Sequence, residues 1–247
     1  MPHRSICAAT FKRIDESAIL HDRDNRVIRH GDAMSELWEI LWLTVRVSGL
    51  AVLISAVVGV PLGAWLGLAR FRGKSLVVAA VHTGMALPPV VVGLVLFMLL
   101  SNSGPLASLD WLFTSRAMVV AQTVLALPFV IGITRNAVAS VPAEFVLQVR
   151  ATGASHWQTR WTLLREARDG VALAVAAAFG RSISEVGAVL IVGGNIQGHT
   201  RVLTTAIVLE TGKGQFQFAL ALSAVLLGLA VLVNLFILRM QHGRRLA

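Results

Sequence analysis

Charge is scarce in this chain. Of 247 residues only 14% are charged, against 55% that are hydrophobic, and the mean hydropathy is +0.72. An ordinary soluble domain carries roughly 25% charged residues, so this composition cannot clothe a globular surface and excludes a soluble enzyme or a disordered tail. Cysteine is nearly absent: Cys7 stands alone, which rules out an intrachain disulfide framework. No cluster of Cys and His has metal-ligand spacing, and no metal or cofactor is expected. Neither H-E-x-x-H nor G-x-S-x-G occurs, so an intramembrane hydrolase would lack its nucleophile or metal. Acidic residues number 13 against 22 basic, for a net charge of +9. The basic residues sit in short gaps between apolar runs, which reads as membrane topology rather than nucleic-acid binding.

What the chain does have is long apolar runs. Five are long enough to cross a bilayer, which takes about 20 residues: residues 43–68, 76–100, 117–134 (extendable to Ala139), 170–192 and 216–238. The gaps alternate in charge. Arg70, Arg72 and Lys74, then Arg135, Arg150, Arg160, Arg165 and Arg168, then Arg239, Arg244 and Arg245 fall on one side, against Arg116, Arg201 and Lys213 on the other. Excess Lys and Arg mark the cytoplasmic face, so the C-terminus is expected inside and the N-terminus outside. Trp38, Trp42 and Trp111 then fall at the outer interface and Trp65 at the inner one, as in an aromatic belt. The polar stretch 1–33 holds six basic and five acidic residues and no apolar core of a signal peptide. Its arginines oppose the expected orientation. It is read as a disordered extension or a mis-assigned start ahead of Met34, leaving 34–247 as the working domain.

Within the spans, Gly59, Gly63 and Gly67 recur every four residues, a spacing that lets a second helix approach closely. Pro88–Pro89 and Pro128 are expected to kink the second and third spans. His82 reads as a packing histidine. Residues 67–75, GLARFRGKS, superficially resemble a phosphate-binding loop, but five residues separate the glycines where four are needed. The run reads as a cytoplasmic turn.

Residues 141–169 form a gap too long for a simple connector. Pro142 is placed to open a helix, Gly153 to end it and Ser155 to cap a second. Trp157, Trp161 and Leu164 give that second helix an apolar face. Such a pair suits either docking to a partner or lying flat on lipid. Arg46 lies in or near hydrocarbon, as do Arg181 and Glu185, whose spacing of four lets them pair on one helix face. The pair reads as a helix clamp or as a gate element. Residues 193–201, GGNIQGHTR, offer glycine amides, Asn195 and Arg201, followed by Thr204 and Thr205, to a passing anion. They read equally as a solvated turn.

Several of these segments together resemble ABC-importer permeases of the tungstate/molybdate branch. They are GASHWQ at 153–158, LLREAR at 163–168, LPPVVVG at 87–93 and FGRSISEVGAVLIVGGNI at 179–196. TRVLTTAI at 200–207 and LET at 209–211 are similar to tungstate permeases in particular. The likeness runs from about Met34 to the C-terminus. It aligns 141–169 with the family's cytoplasmic coupling loop, although Leu147, Gln148 and Val149 stand where that loop has Glu-Ala-Ala, and Arg165–Glu166 where it has Leu-Pro. The resemblance implies an all-α integral membrane protein with five transmembrane helices and the type I importer fold. It implies a homodimer in the plasma membrane with two separate cytoplasmic ABC ATPase subunits and an extracytoplasmic oxyanion-binding protein. Gly153, Ala154, Ser155, His156, Trp157 and Trp161 would then couple to the ATPase, and Asn195, Arg201, Thr204 and Thr205 would border the path. An autonomous channel or secondary transporter is the competing class; no inverted repeat favours it. Molybdate, or sulfate, is the competing cargo.

Overall fold

In a bilayer the backbone must satisfy its own hydrogen bonds, which leaves helices as the way across for a chain without closed sheets. The computed structural model describes residues 30–242, and every regular element in them is helical. The N-terminal extension and Cys7 lie outside the described residues. Contacts divide the chain into Met1–Glu39 and Ile40–Ala247. The described part of the first unit is the helical lead-in from His30, with Trp38 exposed.

The elements are α1 (His30–Leu68), α2 (Lys74–Met85), α3 (Pro89–Leu100), a 3-10 turn (Ala107–Leu109), α4 (Ser115–Ala139), α5 (Ala143–Ala151), α6 (His156–Glu166), α7 (Arg168–Ile183), α8 (Gly187–Gly193), α9 (Leu203–Gly212) and α10 (Phe216–His242). Three helices, α1, α4 and α10, are long and apolar enough to span alone. The other two expected spans fall on bent pairs, α2–α3 at 93° and α7–α8 at 57°, which bring the number of spans to five if each pair crosses as one.

The first break was foreshadowed as a proline kink, but it is a full interruption. Leu87 precedes a proline, which disfavours helical backbone. Pro88 is extended (φ −65, ψ 123), and Pro89 restarts the helix at a position that needs no N–H donor. Pro128, by contrast, is carried inside a continuous α4. The second break corrects the expectation of an uninterrupted fourth span. Ser184 Oγ bonds back to the carbonyls of Gly180 and Arg181 at 2.9 and 3.1 Å, helping to close α7. The Glu185 carboxylate then accepts from Ala188 N at 3.2 Å at the start of α8.

α4 is the central element. Its Ala117, Met118, Ala121, Leu125, Ala126 and Val130 are buried against α2, α3, α7 and α8. The glycine stripe of α1 lies on it as the spacing suggested. A Cβ at Gly63 would sit 2.7 Å from the Ile131 carbonyl oxygen and 2.8 Å from Thr134 Cβ, and one at Gly59 would meet Val130. A second tie joins α1 to α9: Thr44 Oγ1 donates to Ile40 O at 2.6 Å and accepts from Leu203 N at 2.9 Å. That satisfies one of the orphan donors at the start of α9.

The phosphate-loop lookalike is a turn. Lys74 Nζ donates to the carbonyls of Gly67 and Ala69 at 3.2 and 2.8 Å, so its charge closes the C-terminal end of α1. Trp65 stacks on Phe71 beside it, centroids 5.4 Å apart. His82 is exposed, not packed, because α2 has no buried residues and meets its neighbours through glycine contacts and side-chain edges. Much of α1, α3 and α10 likewise presents large apolar side chains outward, among them Leu53, Val57, Val95, Leu220 and Leu232. In water this surface would aggregate; in lipid it is the expected solvent face.

The α1–α4 contact yields a prediction. Gly63→Val forces a branched side chain against backbone and is expected to cost about 1–3 kcal/mol. Gly49, with open space around it, accepts alanine without loss. Thermal unfolding of the two variants in detergent separates them; equal midpoints would refute the close contact.

Candidate functional site

The stretch 141–169 folds as two short helices, as its punctuation suggested. Pro142 is the residue before α5 rather than its first, and Thr152 closes that helix. Gly153 then takes φ +78, a left-handed backbone that a side chain would strain. Ser155 caps α6 with a reciprocal capping box: Gln158 N donates to Ser155 Oγ at 3.2 Å, and Ser155 N to Gln158 Oε1 at 2.8 Å.

With the turn fixed in this way, Trp157 (73% exposed) and Trp161 (50% exposed) project from α6 while Leu163 is fully buried. Arg165 sits over the Trp161 ring, 5.4 Å from its centroid, a cation–π contact not read from the sequence. Leu147 on α5 is also exposed. Ala154 is half-buried. His156 opens α6, and its side chain lies outside the described residues.

Next to this element is a cavity of about 580 Å³, between the end of α4, the α4–α5 turn and the start of α7. Asn136, Ser140 and Glu166 supply its polar lining, and Ile133 and Leu173 its apolar lining.

Arg181 and Glu185 do pair, Nη1 to Oε2 at 3.3 Å. Glu185 is 4% exposed and Arg181 30%, with the guanidinium 6.0 Å from the Phe129 ring centre on α4. Glu185 has two tasks in addition to the charge: its carboxylate Oε1 caps Ala188 N, and its backbone carbonyl accepts from Thr204 Oγ1 at 3.0 Å. The pair therefore sits at the break between α7 and α8 and ties it to α9. Spacing gave the pair; the cap and the Thr204 bond depend on a break that sequence periodicity did not show.

The loop between α8 and α9 is held by its own hydrogen bonds. Asn195 adopts φ 52, and its Oδ1 is buried with no hydrogen-bond partner among the described residues. Thr200 Oγ1 accepts from Ile196 N at 2.9 Å and donates to Gly193 O. Thr204 and Thr205 are buried, 5% and 1% exposed, and Thr205 Oγ1 exchanges bonds with Val202. Arg201 is half-buried at the start of α9. The segment thus leaves Asn195 and Arg201 half-buried and commits Thr204 and Thr205 to internal bonding. A further ion pair, buried Glu210 with exposed Lys213 at 2.8 Å, closes the end of α9; no spacing argument had singled it out.

The double role of Glu185 gives a test. Glu185→Gln keeps an acceptor for Ala188 N and loses only the charge, whereas Glu185→Ala leaves the start of α8 uncapped. Alanine is expected to destabilise by about 1–3 kcal/mol more than glutamine, read as the difference in thermal midpoints in detergent. Equal losses would assign the stability to the ion pair alone.

Comparison with known proteins places this architecture. Over 206 residues, 81% of this chain and 89% of the relative, it is 44% identical to a probable anion ABC transporter permease protein of Haloferax volcanii. Over 207 residues, 84% of this chain and 91% of the relative, it is 38% identical to the tungstate uptake system permease protein TupB of Peptoclostridium acidaminophilum. In fold it is similar to a chain of the inward-facing MetNI methionine ABC transporter, with a TM-score of 0.69 at 21% identity, covering 85% of this chain and 97% of that one. Residues 59–244 match the family described as binding-protein-dependent transport system inner membrane component. The chain therefore belongs to that family: it is a multi-pass inner-membrane permease subunit of the ABC importer type, with ATP hydrolysis residing in a separate subunit.

Proposed function

We propose that this permease carries tungstate inward, delivered by an extracytoplasmic binding protein and driven by two ABC ATPase subunits on a homodimer of this chain. The observation that carries the cargo is the likeness, over more than four fifths of the chain, to permeases named for anion and for tungstate uptake. Molybdate is the alternative cargo, because the two ions share tetrahedral shape and charge.

The α5–α6 element is the docking site for the ATPase. Two tryptophans held outward on a capped, rigid helix are well suited to anchoring in a partner's groove, since a large aromatic buried at an interface center contributes heavily to binding. The charge asymmetry puts this element, the turn at 70–74 and the C-terminus in the cytoplasm. Closure of the ATPases would push on α6, and the direct junction of α6 with α7 at Ala167 would pass that movement to the broken span. On the opposite side, Asn195 and Arg201 are the groups we assign to the anion's path, with Thr204 and Thr205 holding the backbone behind them. Contacts there must be weak, because a conducting path has to release what it binds.

Two experiments test the reading. In cells carrying the complete importer, labelled tungstate uptake is expected to be competed by unlabelled tungstate and molybdate but not by sulfate; competition by sulfate alone would overturn the cargo. Trp157→Ala with Trp161→Ala is expected to abolish uptake while leaving the thermal midpoint of the permease within about 0.5 kcal/mol of the parent, the usual range for surface substitutions. Unimpaired uptake would remove α6 from the coupling path.

A further inference from the structure

Two arginines are left without a role by transport and by packing. Arg46 lies on α1 and Arg116 in the first turn of α4, and both line one cavity of about 280 Å³. Both are exposed, and among the described residues no carboxylate or hydrogen-bond partner engages either guanidinium. The rest of the cavity is largely apolar, with Leu50, Ile54, Trp111 and Val120 among its walls. Arg46 belongs to the outward face of α1, where Val45, Leu50, Leu53, Ile54, Val57 and Val58 are all exposed.

The depth of the pair follows from helix length. At 1.5 Å per residue, Arg46 stands about 33 Å from Leu68 along α1, and Arg116 about 35 Å from Ala139 along α4. The hydrocarbon core is about 30 Å thick. With the turn at 70–74 and Arg135 near one membrane surface, both arginines reach the headgroup level of the opposite leaflet, where Trp111 also lies. A cation there has headgroups rather than hydrocarbon to meet, and an apolar groove running from it toward the membrane centre has chains to meet.

We propose that this groove is a binding site for one anionic phospholipid, its phosphate between Arg46 and Arg116 and an acyl chain along Leu50, Ile54 and Val120. Charge complementarity chooses the occupant. Two unpaired guanidinium groups, together with the free N–H groups at the start of α4, call for a phosphate. A small hydrated oxyanion would gain nothing from the apolar walls, whereas an acyl chain removes them from contact with the headgroup water. The volume, just under that of ordinary small-molecule pockets of about 300–1,000 Å³, suits a chain segment. Bound there, the lipid would bridge α1 and α4 on the side away from the Gly63 contact in sequence, nearer the start of both helices. The proposal is independent of which ion the permease carries.

The test is native mass spectrometry of the full-length permease, delipidated in detergent and titrated with phosphatidylglycerol or phosphatidylcholine. The parent is expected to retain one tightly held phosphatidylglycerol per protomer and to hold phosphatidylcholine weakly. Arg46→Gln with Arg116→Gln is expected to weaken phosphatidylglycerol about tenfold or more, while the double lysine variant keeps it. Val120→Trp, which fills the groove but leaves the arginines, is expected to lose it as well. Size-exclusion profiles matching the parent show that the variants are folded; a variant that fails this check is replaced by Arg46→Gln or Arg116→Gln alone, each expected to show a smaller loss. Equal retention of the two lipids, or unchanged phosphatidylglycerol in the glutamine variants, would overturn the proposal. So would its displacement by inorganic phosphate or tungstate at millimolar concentration, which would mark a site for free oxyanions.

Discussion

A backbone that crosses hydrocarbon must pair every N–H and C=O within the protein, and this chain interrupts its helices twice inside apolar segments. Everything distinctive about the structure follows from how those interruptions are closed. At residues 86–88 the break uses proline, which brings no donor to satisfy. At residues 184–186 it uses side chains: the Ser184 hydroxyl turns back on α7 and the Glu185 carboxylate takes a donor in the first turn of α8. Arg181 then compensates the charge that the cap requires. The pair is one unit in which a buried carboxylate is kept because the helix end needs it.

The two breaks meet. α3, the helix after the first, packs on α8, the helix after the second, and a Cβ at Gly93 would stand 2.8 Å from the Ala188 Cα. Both lie against α4, which stays continuous through Pro128. A rigid central helix flanked by two jointed ones is an arrangement able to change shape without unpacking its core, since the joints already carry their own hydrogen-bond closure. Gln122 supports this from α4 by donating to the Ser182 carbonyl at 3.0 Å, beside the joint.

At the α5–α6 element the same economy of hydrogen bonds serves a different end. The capping box at Ser155 and the left-handed turn at Gly153 set the start of α6, Leu163 anchors it in the interior, and its two tryptophans remain outside. Rigidity made from local bonds leaves side chains available for a partner, whereas rigidity made from packing would have consumed them. Around the start of α9, Thr200 and Thr205 are consumed by local bonds and Thr204 by the Glu185 carbonyl, while their sequence neighbours Asn195 and Arg201 are half-buried.

Local sequence by itself determined the membrane class, the apolar segments, the α5–α6 punctuation and the Arg181–Glu185 pairing. Each depends on spacing or composition within a few turns: the apolar runs, the Pro142, Gly153 and Ser155 signals, an interval of four. The glycine stripe of α1 was legible for the same reason, as a face awaiting a neighbour. Only the tertiary structure decided which neighbour it was, that the fourth span is broken at Glu185, that His82 is exposed and that Thr204 is turned inward. It also decided that Arg46 and Arg116, 70 positions apart, share one cavity. These depend on contacts between helices, and apolar runs of similar composition leave the choice among partners undetermined until the backbones are packed.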